Sequence, residues 1–181
     1  MVRSRYSTVA IVFHWSIAVL LIANLAAGLL FDTVEAYDKS LFFSLIQLHK
    51  STGITVLALA VLRLGWRLTH PAPPYPAHMT TAERALAKVS HWGFYVLMIA
   101  LPLSGWAMVS VSTKKFPMFW YGLFEVPMLS VPKNWNYYEL HEILGWVALA
   151  MIALHVAAAL KHHYFDRDNI FARIWPGARR A

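Results

Sequence analysis

Cysteine is missing from all 181 residues, which excludes disulfides, thiolate-held iron-sulfur clusters, zinc-thiolate centres and the C-x-x-C-H attachment of a c-type haem. Charge is scarce as well. Only 14% of residues are charged against 59% hydrophobic, and the mean hydropathy is +0.49. That balance excludes an ordinary water-soluble domain. Acid is scarcer than base, with 9 Asp and Glu against 16 Lys and Arg, a net charge of +7 and a pI near 9.8. In a soluble protein such an excess would suggest nucleic acid as a partner. Here the basic residues flank apolar runs, so orientation in a membrane accounts for them and no nucleic-acid partner is expected.

What the chain does have is long apolar runs. A transmembrane helix needs about 20 apolar residues to cross a ~30 Å hydrocarbon core, and four stretches qualify, at 8–31, 45–68, 86–111 and 140–161. The first follows Arg3 and Arg5, as a signal peptide's core would, but it is about twice as long as such a core and is read as a retained helix. Pro71, Pro73, Pro74 and Pro76 break the chain between the second and third runs and place a linker outside the hydrocarbon. Segment 112–138 carries Pro117, Pro127 and Pro132 among Phe116, Phe119, Trp120, Tyr121, Phe124, Trp135, Tyr137 and Tyr138. Amphipathic aromatics favour the headgroup level, so this loop is expected to lie on the membrane surface. The fold class is therefore all-α, an integral membrane four-helix bundle.

Lys and Arg set the orientation. Arg3, Arg5, Arg63, Arg67, Arg84, Lys88, Lys161, Arg167, Arg173, Arg179 and Arg180 lie on the side of the termini, and Lys39, Lys50, Lys114, Lys115 and Lys133 on the other. Both termini are thus expected in the cytoplasm.

Ionisable side chains inside membrane spans are costly and mark function. Five histidines fall there: His14, His49, His91, His141 and His155. One alone would be explained as well by a hydrogen bond to a neighbouring helix. Five at matching depths are not. His141 and His155 lie fourteen residues apart on the fourth run, so a helix sets them about 21 Å apart and within roughly 40° of one face. One helix thus offers two imidazoles to the bundle interior at two depths. Neutral imidazole is a good iron ligand, and a b-type haem between helices takes one from each of two. By depth His49 partners His141, while either His14 or His91 matches His155. Gly53 and Gly145 each follow a histidine by one turn, where a missing side chain lets a flat macrocycle approach the backbone. Small-residue helix packing explains those glycines equally well on their own. His14-Trp15 and His91-Trp92 form a faint internal echo.

These residues resemble the bacterial cytochrome b561 family, specifically its CybB-like branch described as superoxide oxidase. The likeness spans nearly the whole chain. It runs through Phe13-His14-Trp15, His49 with Gly53, Val61-Leu62-Arg63-Leu64, Leu101-Pro102 with Gly105, and His141-Glu142 with Leu144-Gly145. Its most specific part is Leu154-His155-Val156-Ala157-Ala158-Ala159-Leu160-Lys161-His162-His163-Tyr164-Phe165, running on to Asp168-Asn169. The resemblance implies one cytochrome b561-type domain over residues 1–181, in the bacterial inner membrane, with no obligatory protein partner. It implies two non-covalent haem b groups, one held by His14 and His155 on the cytoplasmic side and one by His49 and His141 on the periplasmic side. It implies that superoxide is oxidised and ubiquinone reduced. Lys50, beside a ligand, is the candidate for steering the superoxide anion, with Lys114, Lys115 and Lys133 in support. His91 and His162 are left to bond quinone oxygens and deliver protons, and Trp15, Ser16 and Trp92 to line the same pocket.

Two other readings start from the same residues. A cytochrome b subunit of a larger dehydrogenase or hydrogenase complex would share the helix plan. A zinc or copper site in a transporter or membrane hydrolase would use the histidines differently, but no H-E-x-x-H or carboxylate-rich cluster occurs within the runs.

Overall fold

The computed structural model describes residues 5–113 and 117–177, so that Arg3, Lys114, Lys115, Phe116, Arg179 and Arg180 lie outside the described residues. Four helices carry the chain: α1 (Thr8–Tyr37), α2 (Lys39–Thr69), α3 (Thr81–Val111) and α4 (Tyr137–Tyr164). All four are long and apolar enough to cross a membrane. Large apolar side chains such as Val19, Leu62, Val96 and Leu154 stand on the outside of the bundle, an arrangement suited to lipid and not to water.

A capping side chain sets the start of each helix, which is Thr8, the head of the run, for α1 and lies ahead of the hydrophobic run for α2, α3 and α4. Ser7 Oγ accepts from the Ala10 N–H at the head of α1. Asp38 is the single residue between α1 and α2, and its carboxylate accepts from the Ser40 and Leu41 N–H groups, so α2 begins at Lys39 and not near residue 45. Thr80 and Glu83 form a capping box that starts α3 at Thr81. Asn136 caps α4 through the Glu139 N–H. Such caps contribute about 1 kcal/mol each.

The helices pack in chain order, α1 on α2, α2 on α3 and α3 on α4. The backbone of α4 hardly approaches α1 or α2, which leaves a slot between them. A shared core closes the middle of the bundle, formed by Ile17 and Leu21 of α1, Val56 and Ala60 of α2, Leu97, Met98 and Leu101 of α3, and Ala148 of α4.

The aromatic loop differs from the surface segment expected. Two short antiparallel strands, β1 (Phe119–Trp120) and β2 (Phe124–Glu125), form a hairpin docked on α2. Tyr121 and Gly122 turn it with φ of 47° and 76°, a left-handed pair that glycine tolerates and tyrosine resists. Docking explains why the tyrosine stays there. Ser51 Oγ donates to the Phe119 carbonyl (2.9 Å) and accepts from the Tyr121 N–H (3.0 Å), while Trp120 Nε1 donates to Thr55 Oγ1 (3.1 Å). Met118 and Val126, flanking the strands, are buried.

At the other end a short 3₁₀ turn, Phe171–Arg173, folds back under the bundle. Arg5 donates to the Trp175 carbonyl, Trp15 Nε1 to the Ile174 carbonyl (2.9 Å), and Arg173 to the Pro74 carbonyl (2.6 Å). N-terminus, Pro-rich linker and C-terminal segment thus form one layer.

Candidate functional site: two histidine centres

Helical spacing carries His141 and His155 to opposite ends of α4, each seven residues from the buried Ala148. Across the slot two imidazoles face them. His49 of α2 meets His141 with ring centres 6.1 Å apart, and His14 of α1 meets His155 at 6.3 Å. Two imidazoles bound to one metal, with bonds of roughly 2 Å and ring radii of roughly 1.2 Å, have centres about 6 Å apart. Both pairs fit a metal bridged between them.

The centre far from the termini is the better defined. His141 Nδ1 lies 3.1 Å from the Leu101 carbonyl and 3.0 Å from Ser104 Oγ. Ser104 spends its own proton on the Leu101 carbonyl (2.7 Å), so Nδ1 must carry the imidazole proton. Nε2 is left with the lone pair a metal needs. Gly105 is what allows the ring this close: a Cβ there would stand 2.9 Å from His141 Cε1, a collision. Opposite, Gly28 passes His49, where a Cβ would lie 3.7 Å from Cε1. His49 Nδ1 is buried beside the Asn24 backbone without a hydrogen bond of good geometry, and Phe31 packs edge-on at 5.0 Å. Gly53 has only Asn24 Nδ2 at 4.0 Å from a built Cβ and Gly145 has nothing within 4 Å, so both face space, as a cradle for a flat group requires. Spacing pointed to these two glycines but not to Gly28 and Gly105, which act across helices.

The centre near the termini is more crowded. His155 has His14 on one side and His91 of α3 at 6.0 Å on another, with Phe94 at 5.2 Å. Ring distance therefore separates His14 from His91 no better than depth does. Their settings differ, however. His14 is half-buried and looks across the slot, whereas His91 is exposed and comes from the helix packed directly against α4. Arg63 Nη2 stands 3.2 Å from His14 Nδ1.

The remaining candidates are scattered. Half-buried Lys50 follows His49 on α2, beside a cavity of about 440 Å³ lined by Gln47, Leu48, Ser51, Phe119, Tyr121 and Gly122. Lys133 is exposed in the loop before α4. His162 lies in a polar cluster past the end of the bundle, with Nδ1 2.8 Å from Asp168 and 3.1 Å from Asp166. Asp168 also accepts from the exposed His78 at 3.0 Å. Burial raises the Asp168 carboxyl, but the Ile170 N–H, His78 and His162 together outweigh it and hold the group below the usual carboxylate value. Trp15 is committed to the C-terminal segment through its bond to Ile174 and an edge contact with Trp175. Trp92 is exposed against Tyr95.

Apolar helices with imidazoles facing one another at two levels are the build of a membrane cytochrome with bis-histidine haem. Residues 5–177 match the family described as prokaryotic cytochrome b561. The chain is 30% identical over 174 residues to cytochrome b561 homolog 2 of Escherichia coli K12, covering 94% of this chain and 90% of that one. It is 30% identical over 182 residues to cytochrome b561 homolog 1 of the same organism (96% and 98%). It is 28% identical over 181 residues to the probable superoxide oxidase CybB of Yersinia pestis (98% and 99%). The chain belongs to the prokaryotic cytochrome b561 family, and is a multi-pass bacterial membrane protein of electron transfer whose family implies haem b.

Proposed function

We propose that this chain carries two haem b groups in the inner membrane, with both termini in the cytoplasm, and moves electrons from periplasmic superoxide to ubiquinone. The observation that carries the reading is the pair of facing imidazoles at each end of α4, 6.1 and 6.3 Å apart. His49 and His141 hold the periplasmic-side haem, and His14 and His155 the cytoplasmic-side one. His14 is favoured over His91 because it comes from α1, whose backbone stands off from α4, whereas α3 packs directly against α4. The name of the 28% identical Yersinia relative supports superoxide as donor.

Haem, when bound, supplies a one-electron centre. The chain's own residues do the rest. Lys50, with Lys133 farther out, presents positive charge to an approaching anion near His49. The Leu101 carbonyl and Ser104 fix the His141 ring and its tautomer. Ubiquinone arrives through lipid, and His91 is accessible beside His155, with ring centres 6.0 Å apart. His91 and His162 donate to the quinone oxygens, and Asp168 links His162 to the water-exposed His78. The balance is two superoxide anions, one ubiquinone and two protons giving two O₂ and one ubiquinol.

Stopped-flow mixing of superoxide with the purified protein, with and without ubiquinone, tests the reading. Reduction of a b-type absorption band followed by quinone-dependent reoxidation is expected. Absence of a bis-histidine b spectrum would remove the haem assignment, and a haem that superoxide leaves oxidised would remove the donor.

A further inference from the structure

Arg63 and Arg67 lie one turn apart on α2, and so on one face. The Arg63 contact with His14, and the bond from Trp66, between the two arginines, to Ser7 Oγ at the head of α1 (3.2 Å), set this stretch of α2 against the first two turns of α1. Among the described residues no carboxylate forms an ion pair with either arginine; every such pair involves His78, Lys161 or His162. Arg63 meets neutral groups, His14 Nδ1 at 3.2 Å and Tyr95, which takes a hydrogen bond from it and turns its ring face to it at 5.8 Å. Arg67 Nη1 is buried with no hydrogen-bond partner. Two half-buried guanidinium groups without an anion are costly in a membrane span, and among the described residues no carboxylate pairs with either.

The Arg63 contact has a consequence for His14. Guanidinium can only donate, so His14 Nδ1 must accept, and the imidazole proton then sits on Nε2. A neutral histidine that ligates iron through Nε2 carries its proton on Nδ1, as His141 does. Arg63 must then find another acceptor.

We propose that Arg63 and Arg67 form a two-guanidinium clamp for the propionate carboxylates of the haem held by His14 and His155, an inference that rests on that haem assignment. Arginine matches carboxylate geometry in bidentate pairs, and two arginines one turn apart match two propionates. The clamp makes both arginines positioning residues. It fixes which edge of the macrocycle faces the terminal layer, and it keeps cationic charge beside the iron.

The test is a redox titration of the purified holoprotein carrying Arg63→Gln and Arg67→Gln, read in the α bands, with redox-difference infrared spectra of the carboxylate region. Losing cationic charge disfavours the reduced state. The reduced-to-oxidised ratio of the His14/His155 haem at fixed potential is expected to fall about tenfold, which is 59 mV for one electron. The other haem stays unmoved, the propionate bands shift, and Arg63→Lys with Arg67→Lys recovers most of the ratio. Unchanged titration and carboxylate bands in a variant retaining both haems overturn the clamp. If the double variant loses that haem, Arg67→Gln alone decides, because it leaves the His14 contact intact: a measurable fall supports the clamp and none overturns it. A wild-type protein without bis-histidine haem at this level removes the haem assignment itself, an outcome distinct from wild-type haem with an indifferent Arg63 and Arg67.

Discussion

The two ends of α4 solve the same problem differently. At His141 the ring has one facing partner, a carbonyl and a hydroxyl that fix its tautomer, and a glycine that admits it. At His155 three rings and an arginine crowd together, and among the described residues no side-chain hydrogen bond ties the His155 ring itself. The first centre is fixed by the polypeptide; the second leaves more to what it binds. The proposed function would put superoxide entry at the first centre and quinone and proton handling at the second.

Ligand removal should give the largest break in this comparison. His141→Ala or His49→Ala should take the haem-to-protein ratio, measured by pyridine haemochrome, from two to one while the second centre keeps its spectrum. His14→Ala should likewise leave one haem, whereas His91→Ala should leave two and slow quinone-dependent reoxidation. Two haems retained in His14→Ala and one in His91→Ala would reverse the pairing at the crowded end.

Gly105→Val comes next, because even its Cβ would collide with the His141 ring. Overpacking of this kind costs about 1–3 kcal/mol, and the far centre should lose most of its haem while the other is kept. Equal loss from both would show that the bundle, and not the ring, gave way.

A smaller effect belongs to acid. The native Asp168 carboxyl titrates below its ordinary value, so the stability it contributes is full above the unfolded pKa and is lost as pH falls through the folded one. Asp168→Asn should lower stability by about 2 kcal/mol near neutral pH, the scale of hydrogen bonds to a charged group. The gap to wild type should close below pH 4, as followed by thermal melts over pH 3 to 7. A gap independent of pH would assign the loss to packing.

The smallest change is expected from Lys50→Glu, a few-fold slower superoxide oxidation with a flatter salt dependence, since one surface charge alters encounter rates modestly. An unchanged salt profile would end the role of Lys50 in steering.

The helices were legible because the apolar runs exceed anything a soluble domain needs, and the fourth-helix histidines because their spacing is a helical quantity. What escaped acts between elements. The runs at 45–68 and 86–111 understate α2 and α3, since Asp38 and the Thr80–Glu83 box extend them through polar residues that hydropathy discounts. The hairpin was hidden by aromatics that suit an interface as well as a strand, though Tyr121-Gly122 between Phe119-Trp120 and Phe124 is a readable turn signal. The resemblance includes Gly105, but its role is invisible to helical spacing, because the close approach it allows is made by His141 of a neighbouring helix. Arg63 and Arg67 were counted as orientation charges, a role indifferent to what their guanidiniums touch.

The apolar layer of Ile17, Leu21, Val56, Ala60, Leu97, Leu101 and Ala148 has a last consequence. Its Ala148 sits seven residues, or about 10 Å of helix, from either histidine of α4, and its side chains cannot relay a proton. Electrons can tunnel past such a plug; hydrogen-bonded water cannot thread it. With the proposed haems on either side of it, the layer would be insulation around a conductor, letting electrons pass between them while withholding protons.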